Sequence, residues 1–181
     1  MRDAIIKSSI LMAYFLRHAP EAIGLNICQD GWVDIEDLAT KSRNWKDTLD
    51  VETIKAVIST DDKGRYELSE DGLKVRAVQG HSTAKVDLQF KAQQPPPFLY
   101  HGTASRFLAS IAEQGLLKGS RHYVHLSELI DTATNVGKRH GSPVVFSVDC
   151  LRMVADGYSF FLSENNVWLT QTVPVKYLTI L

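Results

Sequence analysis

Gln93-Gln94-Pro95-Pro96-Pro97 is the stretch on which the reading of this chain turns. Consecutive prolines donate nothing to a helix or a sheet ladder and favour a stiff polyproline spacer. The sequence changes character across the run: helix signals dominate before it and strand signals after it. Residues 1–94 and 95–181 are therefore expected to be two lobes of one 181-residue chain, and the fold class is α+β.

Moving toward the N-terminus, the segment before the prolines reads as helix, turn, helix, helix, hairpin. An amphipathic helix is predicted over residues 3–17, ending before Ala19-Pro20, because the residue before a proline is biased away from helical geometry. Asp30-Gly31 is a turn and Trp32-Val33 a short extended piece. Asp34 stands where a helix N-cap belongs, and Asp50-Val51-Glu52 starts another helix running to about Ser59. Asp61-Asp62-Lys63-Gly64 has turn chemistry. Arg65-Tyr66-Glu67-Leu68 and Lys74-Val75-Arg76-Ala77-Val78 then suit paired strands around Glu70-Asp71-Gly72. Three helices followed by a hairpin form a winged-helix pattern.

Moving toward the C-terminus, Phe98-Leu99-Tyr100 leads into His101-Gly102-Thr103. Residues 105–114 are predicted helical and stop at Gly115; residues 128–139 form another helix. Val124 to Ser127, Val144 to Val148, Phe160 to Leu162, Val167 to Leu169 and Val175 to Leu178 read as strands.

Bulk properties exclude several classes. The net charge is −1 and neither half is strongly basic, so any nucleic-acid binding rests on a few placed cations rather than a broad basic face. No apolar run approaches the roughly 18 residues of a membrane span. Asp3 interrupts the N-terminal positive charge and no small-residue cleavage site follows, so the chain reads as cytoplasmic. Cys28 and Cys150 lack metal spacing and are expected to be reduced thiols. Dinucleotide, P-loop, zinc and hydrolase-elbow motifs are missing.

The polar constellations each have two readings. Arg17-His18 closes the first helix, where cations complement the macrodipole; the distant Arg65, Arg76, His81, His101, Arg121 and His125 weigh against that as the whole explanation. Arg76 to Ser82 includes Gly80 between Gln79 and His81, either a hairpin end or a ligand-facing turn. Tyr100-His101-Gly102-Thr103 is a loop with a solvent histidine, or a place where glycine lets a ligand approach the backbone. If residues 121–127 are extended, Arg121, Tyr123 and His125 share a face, either solvated or lining an anion site. Ser163 to Thr170 is a polar turn into an aromatic strand, and Lys138-Arg139-His140 a solvated helix end.

Together and in this order, Leu16-Arg17-His18, Asp30 to Val33, Gly64-Arg65-Tyr66, Arg76 to Ser82, Tyr100 to Thr103, Arg121 to Ser127 and Asn166 to Leu169 resemble the KptA-type RNA 2′-phosphotransferase family. The resemblance implies a winged-helix lobe for RNA and phosphate, and an ADP-ribosyltransferase-like lobe for NAD⁺. It implies removal of an internal RNA 2′-phosphate, of the tRNA splice-junction type. NAD⁺ is consumed through a 2′-phospho-ADP-ribosylated RNA intermediate. The products are 2′-hydroxyl RNA, ADP-ribose 1″,2″-cyclic phosphate and nicotinamide. No metal and no obligate protein partner are implied.

The family's catalytic set falls on Arg17, His18, Arg65 and Arg121. Its NAD⁺-binding residues fall on His101, Gly102 and Thr103, with His125 and Ser127 on the next strand. Arg76, Gln79 and His81 are expected to face the cleft between the lobes and contact RNA or NAD⁺. Related protein-modifying enzymes carry a catalytic Glu near the position of Val167, with Glu164 close by here. Two alternatives stand beside this reading. One keeps the fold and ADP-ribosylates terminal phosphates of RNA or DNA. The other is a winged-helix nucleic-acid-binding protein with an inert second lobe.

Overall fold

The computed structural model describes residues 2–45 and 49–181. It divides into two compact units between Gln89 and Phe90. The division falls ahead of the proline run, not within it. Phe90 packs its ring on Tyr123, Ala92 bridges Phe161, and the Gln93 amide donates to the Phe160 carbonyl at 2.9 Å. These contacts fix residues 90–94 to the second unit, where sequence reading assigned them to the first.

The first unit opens with α1 (Arg2–Arg17). Met12, Phe15 and Leu16, spaced to share one helix face, are fully buried. Each such side chain contributes roughly 1.5–3 kcal/mol by leaving water. Asp34 follows β1 (Val33–Asp34) and caps α2 (Ile35–Ser42), accepting from the Glu36 and Asp37 amides at 2.9 and 3.1 Å. Asp50 caps α3 (Val51–Ser59) through the Thr53 amide at 2.7 Å. Then come β2 (Tyr66–Leu68) and β3 (Lys74–Ala77), which with β1 make an antiparallel sheet of order β1-β3-β2. Tyr66 ties this sheet to α1: its hydroxyl donates to the Ser9 carbonyl at 2.5 Å, and burial pushes the phenol pKa up.

The second unit begins with β4 (Phe98–Ala104), then a 3-10 turn (Ser105–Phe107), α4 (Leu108–Gln114), β5 (Leu116–Leu117), β6 (Val124–Leu126) and α5 (Ile130–Lys138). It continues with β7 (Pro143–Asp149), α6 (Cys150–Ala155), β8 (Phe161–Leu162), β9 (Trp168–Thr170), β10 (Thr172–Val173) and β11 (Leu178–Ile180). All pairings are antiparallel, in sheets β11-β7-β4, β6-β9-β8 and β10-β5. Tyr100 and Ser127 exchange both backbone hydrogen bonds at 2.8 Å, joining the first two sheets. A core of Leu99, Leu126, Val148, Met153, Phe160 and Trp168 fills this unit.

Several expectations change. Val175–Tyr177 is a 3-10 turn, not a strand, and pairing starts only at Leu178. Helix α6 was not anticipated; Asp149 caps it by accepting from the Arg152 amide at 3.1 Å. The motif His101-Gly102-Thr103 lies inside β4, fully paired with β7, and is not a loop. Among the described residues the architecture is mixed α+β, with six α-helices and small antiparallel sheets, and no helix is long and apolar enough to cross a membrane.

Candidate active site

In the first unit, the end of α1 carries a polar cluster. The Arg17 carbonyl accepts the Ser82 and Thr83 amides at 2.8 and 3.2 Å. Its guanidinium donates from Nη2 to the Arg65 carbonyl at 3.3 Å and lies 6.0 Å from the Tyr66 ring centroid. Gly80 lies beside it at φ +88°, a conformation that favours glycine, and a Cβ there would be in contact with Arg17 Nη1 at 3.4 Å. His18 is exposed, with Nδ1 at 2.9 Å from Ser82 Oγ. Arg65 is half-buried and pairs through Nη1 with Asp61, which also accepts the Arg65 amide. Arg17, His18 and Arg65, distant in sequence, are thus brought together within one unit. Ser82 and Asp61 are the partners that sequence reading did not assign to them.

Arg76, Gln79 and His81 do not behave as one group. Arg76 is committed to the sheet: it pairs with Glu67 and stands 4.7 Å above the Trp32 ring. His81 is only 3 % exposed, and its Nε2 would be 3.7 Å from a Cβ on Gly31. Gln79 is half-buried beside them.

In the second unit, His101 Nδ1 lies 3.0 Å from the His125 carbonyl oxygen. A carbonyl can only accept, so Nδ1 carries the hydrogen and Nε2 of the neutral ring is the acceptor. Desolvation by burial holds His101 below the usual imidazole range, against the raising effect of the His125 carbonyl; the charges of Arg121 and His140 lower it further. His140, read from sequence as a solvated residue, is therefore close enough to be felt by His101, though it remains exposed. Arg121 is exposed and precedes β6 in a bend, so the alternation expected for Arg121, Tyr123 and His125 does not hold over the whole segment. Tyr123 stacks with Phe90 and Phe161, centroids 5.8 and 5.5 Å away.

Gly102 has a packing role. A Cβ there would lie 1.6 Å from the Ala133 carbonyl oxygen of α5, and one on Gly137 would lie 2.7 Å from the Thr103 oxygen. That side of Gly102 is filled by α5, so the glycine is explained by helix-on-strand contact. Ser163 to Val167 is the plain β8–β9 turn: Ser163 Oγ donates to the Val167 carbonyl and accepts its amide, both at 3.0 Å. Asn166 takes the left-handed conformation at φ +59°. The Trp168 indole donates to Glu128 at 2.7 Å. Cys150 is no nucleophile, since burial pushes its thiol up to about 12.

The state of His101 sets a pH dependence. In the unfolded chain the ring titrates near pH 6.5, above its folded value, so on acidification the unfolded state takes the proton first. Stability is retained above that range and lost as pH falls through it. Asn at position 101 keeps a side-chain N–H near Nδ1 but cannot titrate. Urea midpoints at pH 8 and pH 5.5 should drop further for the wild type than for His101→Asn. Equal drops would reject the neutral, carbonyl-bound ring.

Comparison with known proteins gives the chemical class first: the proteins this chain is similar to are named as transferases. Residues 3–172 match the model described as RNA 2′-phosphotransferase, Tpt1 / KptA family. The chain belongs to that family. Its relatives include the probable RNA 2′-phosphotransferase of Burkholderia lata, 52 % identical over 92 % of this chain and 86 % of that protein. Those of Agrobacterium fabrum and Pseudomonas syringae pv. tomato are 50 % and 48 % identical, over 96 % and 98 % of this chain and 92 % and 94 % of their own.

Proposed function

We propose that this protein removes a 2′-phosphate from RNA at the expense of NAD⁺, as at a tRNA splice junction. In this reading NAD⁺ is a substrate: its ribose C1″ accepts the 2′-phosphate as nicotinamide leaves, and its 2″-hydroxyl then displaces the RNA. The observation that carries the reading is the convergence of Arg17, His18 and Arg65 in the first unit of a chain belonging to this family.

A phosphomonoester carries about −1.5 to −2 charge near neutrality and three acceptor oxygens. Planar guanidinium forks suit such a group, and Arg17 and Arg65 supply them in the first unit; the family's catalytic set adds Arg121. As an anion, the phosphate needs no general base to act as nucleophile. The departing RNA 2′-oxygen does need a proton, and we assign the exposed His18 imidazole to give it. Its Nδ1 is turned to Ser82 Oγ, which accepts the Nδ1 hydrogen before and after the Nε2 proton leaves. His101 fits the nicotinamide-ribose end of NAD⁺, because its Nε2 acceptor suits a ribose hydroxyl. His125 orients it through its backbone carbonyl; Thr103 and Ser127 flank it on β4 and just beyond β6. Gly102 serves by letting α5 settle onto β4.

The order of three helices and the sheet β1-β3-β2 supports a winged-helix reading of the first unit. The small antiparallel sheets of the second support an ADP-ribosyltransferase-like one. The test is incubation of a 2′-phosphorylated oligonucleotide with the protein, with and without NAD⁺. Phosphate loss should require NAD⁺; equal loss in both tubes would sink the proposal. In the same assay His18→Ala should accumulate RNA with ADP-ribose joined to its 2′-phosphate. Failure to see that species would reject His18 as the acid of the second step.

A further inference from the structure

Asp61 was read from sequence as part of a turn, and the turn is there: the Gly64 amide donates to the Asp61 carbonyl at 3.2 Å. Yet its carboxylate does more than a turn needs. Oδ2 accepts the Arg65 amide, while Oδ1 binds Arg65 Nη1. The Asp61 side chain is 3 % exposed and that of Arg65 30 %. A carboxylate withdrawn from water is costly unless paired, so this one is committed to its cation. A guanidinium has five donors; with Nη1 engaged, Nε and Nη2 remain for a ligand. The Arg65 carbonyl is held from the other side by Arg17 Nη2 at 3.3 Å and the Val78 amide at 3.1 Å.

We propose that Asp61 is a positioning residue for Arg65, holding the guanidinium in the orientation that receives the RNA 2′-phosphate. The proposal rests on the function argued above. Its physical content is preorganisation: a long side chain fixed beforehand loses less freedom on binding. Simple charge arithmetic points the other way. Removing a carboxylate beside a phosphate site should tighten the binding of every RNA, and of phosphorylated RNA most.

Asp61→Asn separates these effects. Its amide oxygen can still accept the Arg65 N–H and keep the turn, but its NH₂ cannot accept from Nη1. Affinities for a 2′-phosphorylated and a 2′-hydroxyl oligonucleotide of one sequence give a discrimination ratio, without NAD⁺. Asp61→Asn should lower that ratio about five- to tenfold, within the range of coupling seen between contacting residues. It should have no further effect on Arg65→Ala, whatever it does to the melting temperature of either protein. Asp61→Glu keeps the charge but moves the carboxylate, and should lower the ratio too. An unchanged or increased ratio in Asp61→Asn overturns the proposal. So does an equal loss with and without Arg65, which makes Asp61 a residue of the fold alone. If Arg65→Ala keeps the wild-type ratio, the reading of Arg65 as a phosphate ligand fails, and this proposal with it.

Discussion

Arg17→Ala is expected to lower kcat/KM for 2′-phosphate removal by at least ten- to a hundredfold, since a charged hydrogen bond contributes about 1.5–3 kcal/mol. The loss has two parts. One, on the proposed function, is the missing fork on the phosphate. The other is local: the guanidinium donates to the Arg65 carbonyl and lies near Tyr66, so its removal loosens the packing between α1 and β2. Arg17→Lys separates them. Lysine keeps the charge and much of the stem but has no planar pair of donors. It should melt near the wild type and still lose most of the activity. Turnover on a 2′-phosphorylated oligonucleotide, measured beside thermal melts, decides. Wild-type turnover in a less stable Arg17→Ala protein would make Arg17 a structural residue only.

The second large effect is on stability. Gly102→Ala should prevent the second unit from folding normally, because its methyl carbon would stand 1.6 Å from the Ala133 carbonyl oxygen. The obstacle is backbone, not a side chain that can turn away. Relief requires α5 to lift from β4, and overpacking of this kind reaches or exceeds about 3 kcal/mol. A marginally stable domain has little to spare against that. Low soluble yield or a lost melting transition without any ligand is the expected result. A normally folded Gly102→Ala protein that merely bound NAD⁺ poorly would return the glycine to the ligand-approach role expected from sequence.

What could be read from sequence was local and chemical. Asp34 and Asp50 announced their helices because a capping carboxylate acts within a few residues of itself. Arg17, His18 and Arg65 were singled out through a family pattern, yet nothing in the string shows that Ser82 binds His18 or that Asp61 grips Arg65. Asp61 has good turn chemistry, and that sufficient local reason hid the second one. Gly102 shows a related limit: a glycine's need for space is visible, but the occupant of the space on its Cβ side, here α5, comes from elsewhere in the chain. The same applies to Val175–Tyr177, whose apolar residues suit a strand while the local backbone turns. Helix α6 was the real oversight, since Asp149 was in plain view as its cap.

The bonds around Arg17 also bear on when the site comes into being. Arg17 reaches a residue 48 positions away and His18 one 64 positions away. Loops of that length close late, after the entropy of ordering the intervening chain has been overcome. Helix α1 can form early from local contacts, but its terminal Arg-His pair is aligned only when the hairpin and the segment behind it have docked. Recovery of activity during refolding should therefore lag behind recovery of helix. In a cell, a nascent or partly opened chain of this kind would carry all of its reactive groups and still be inert.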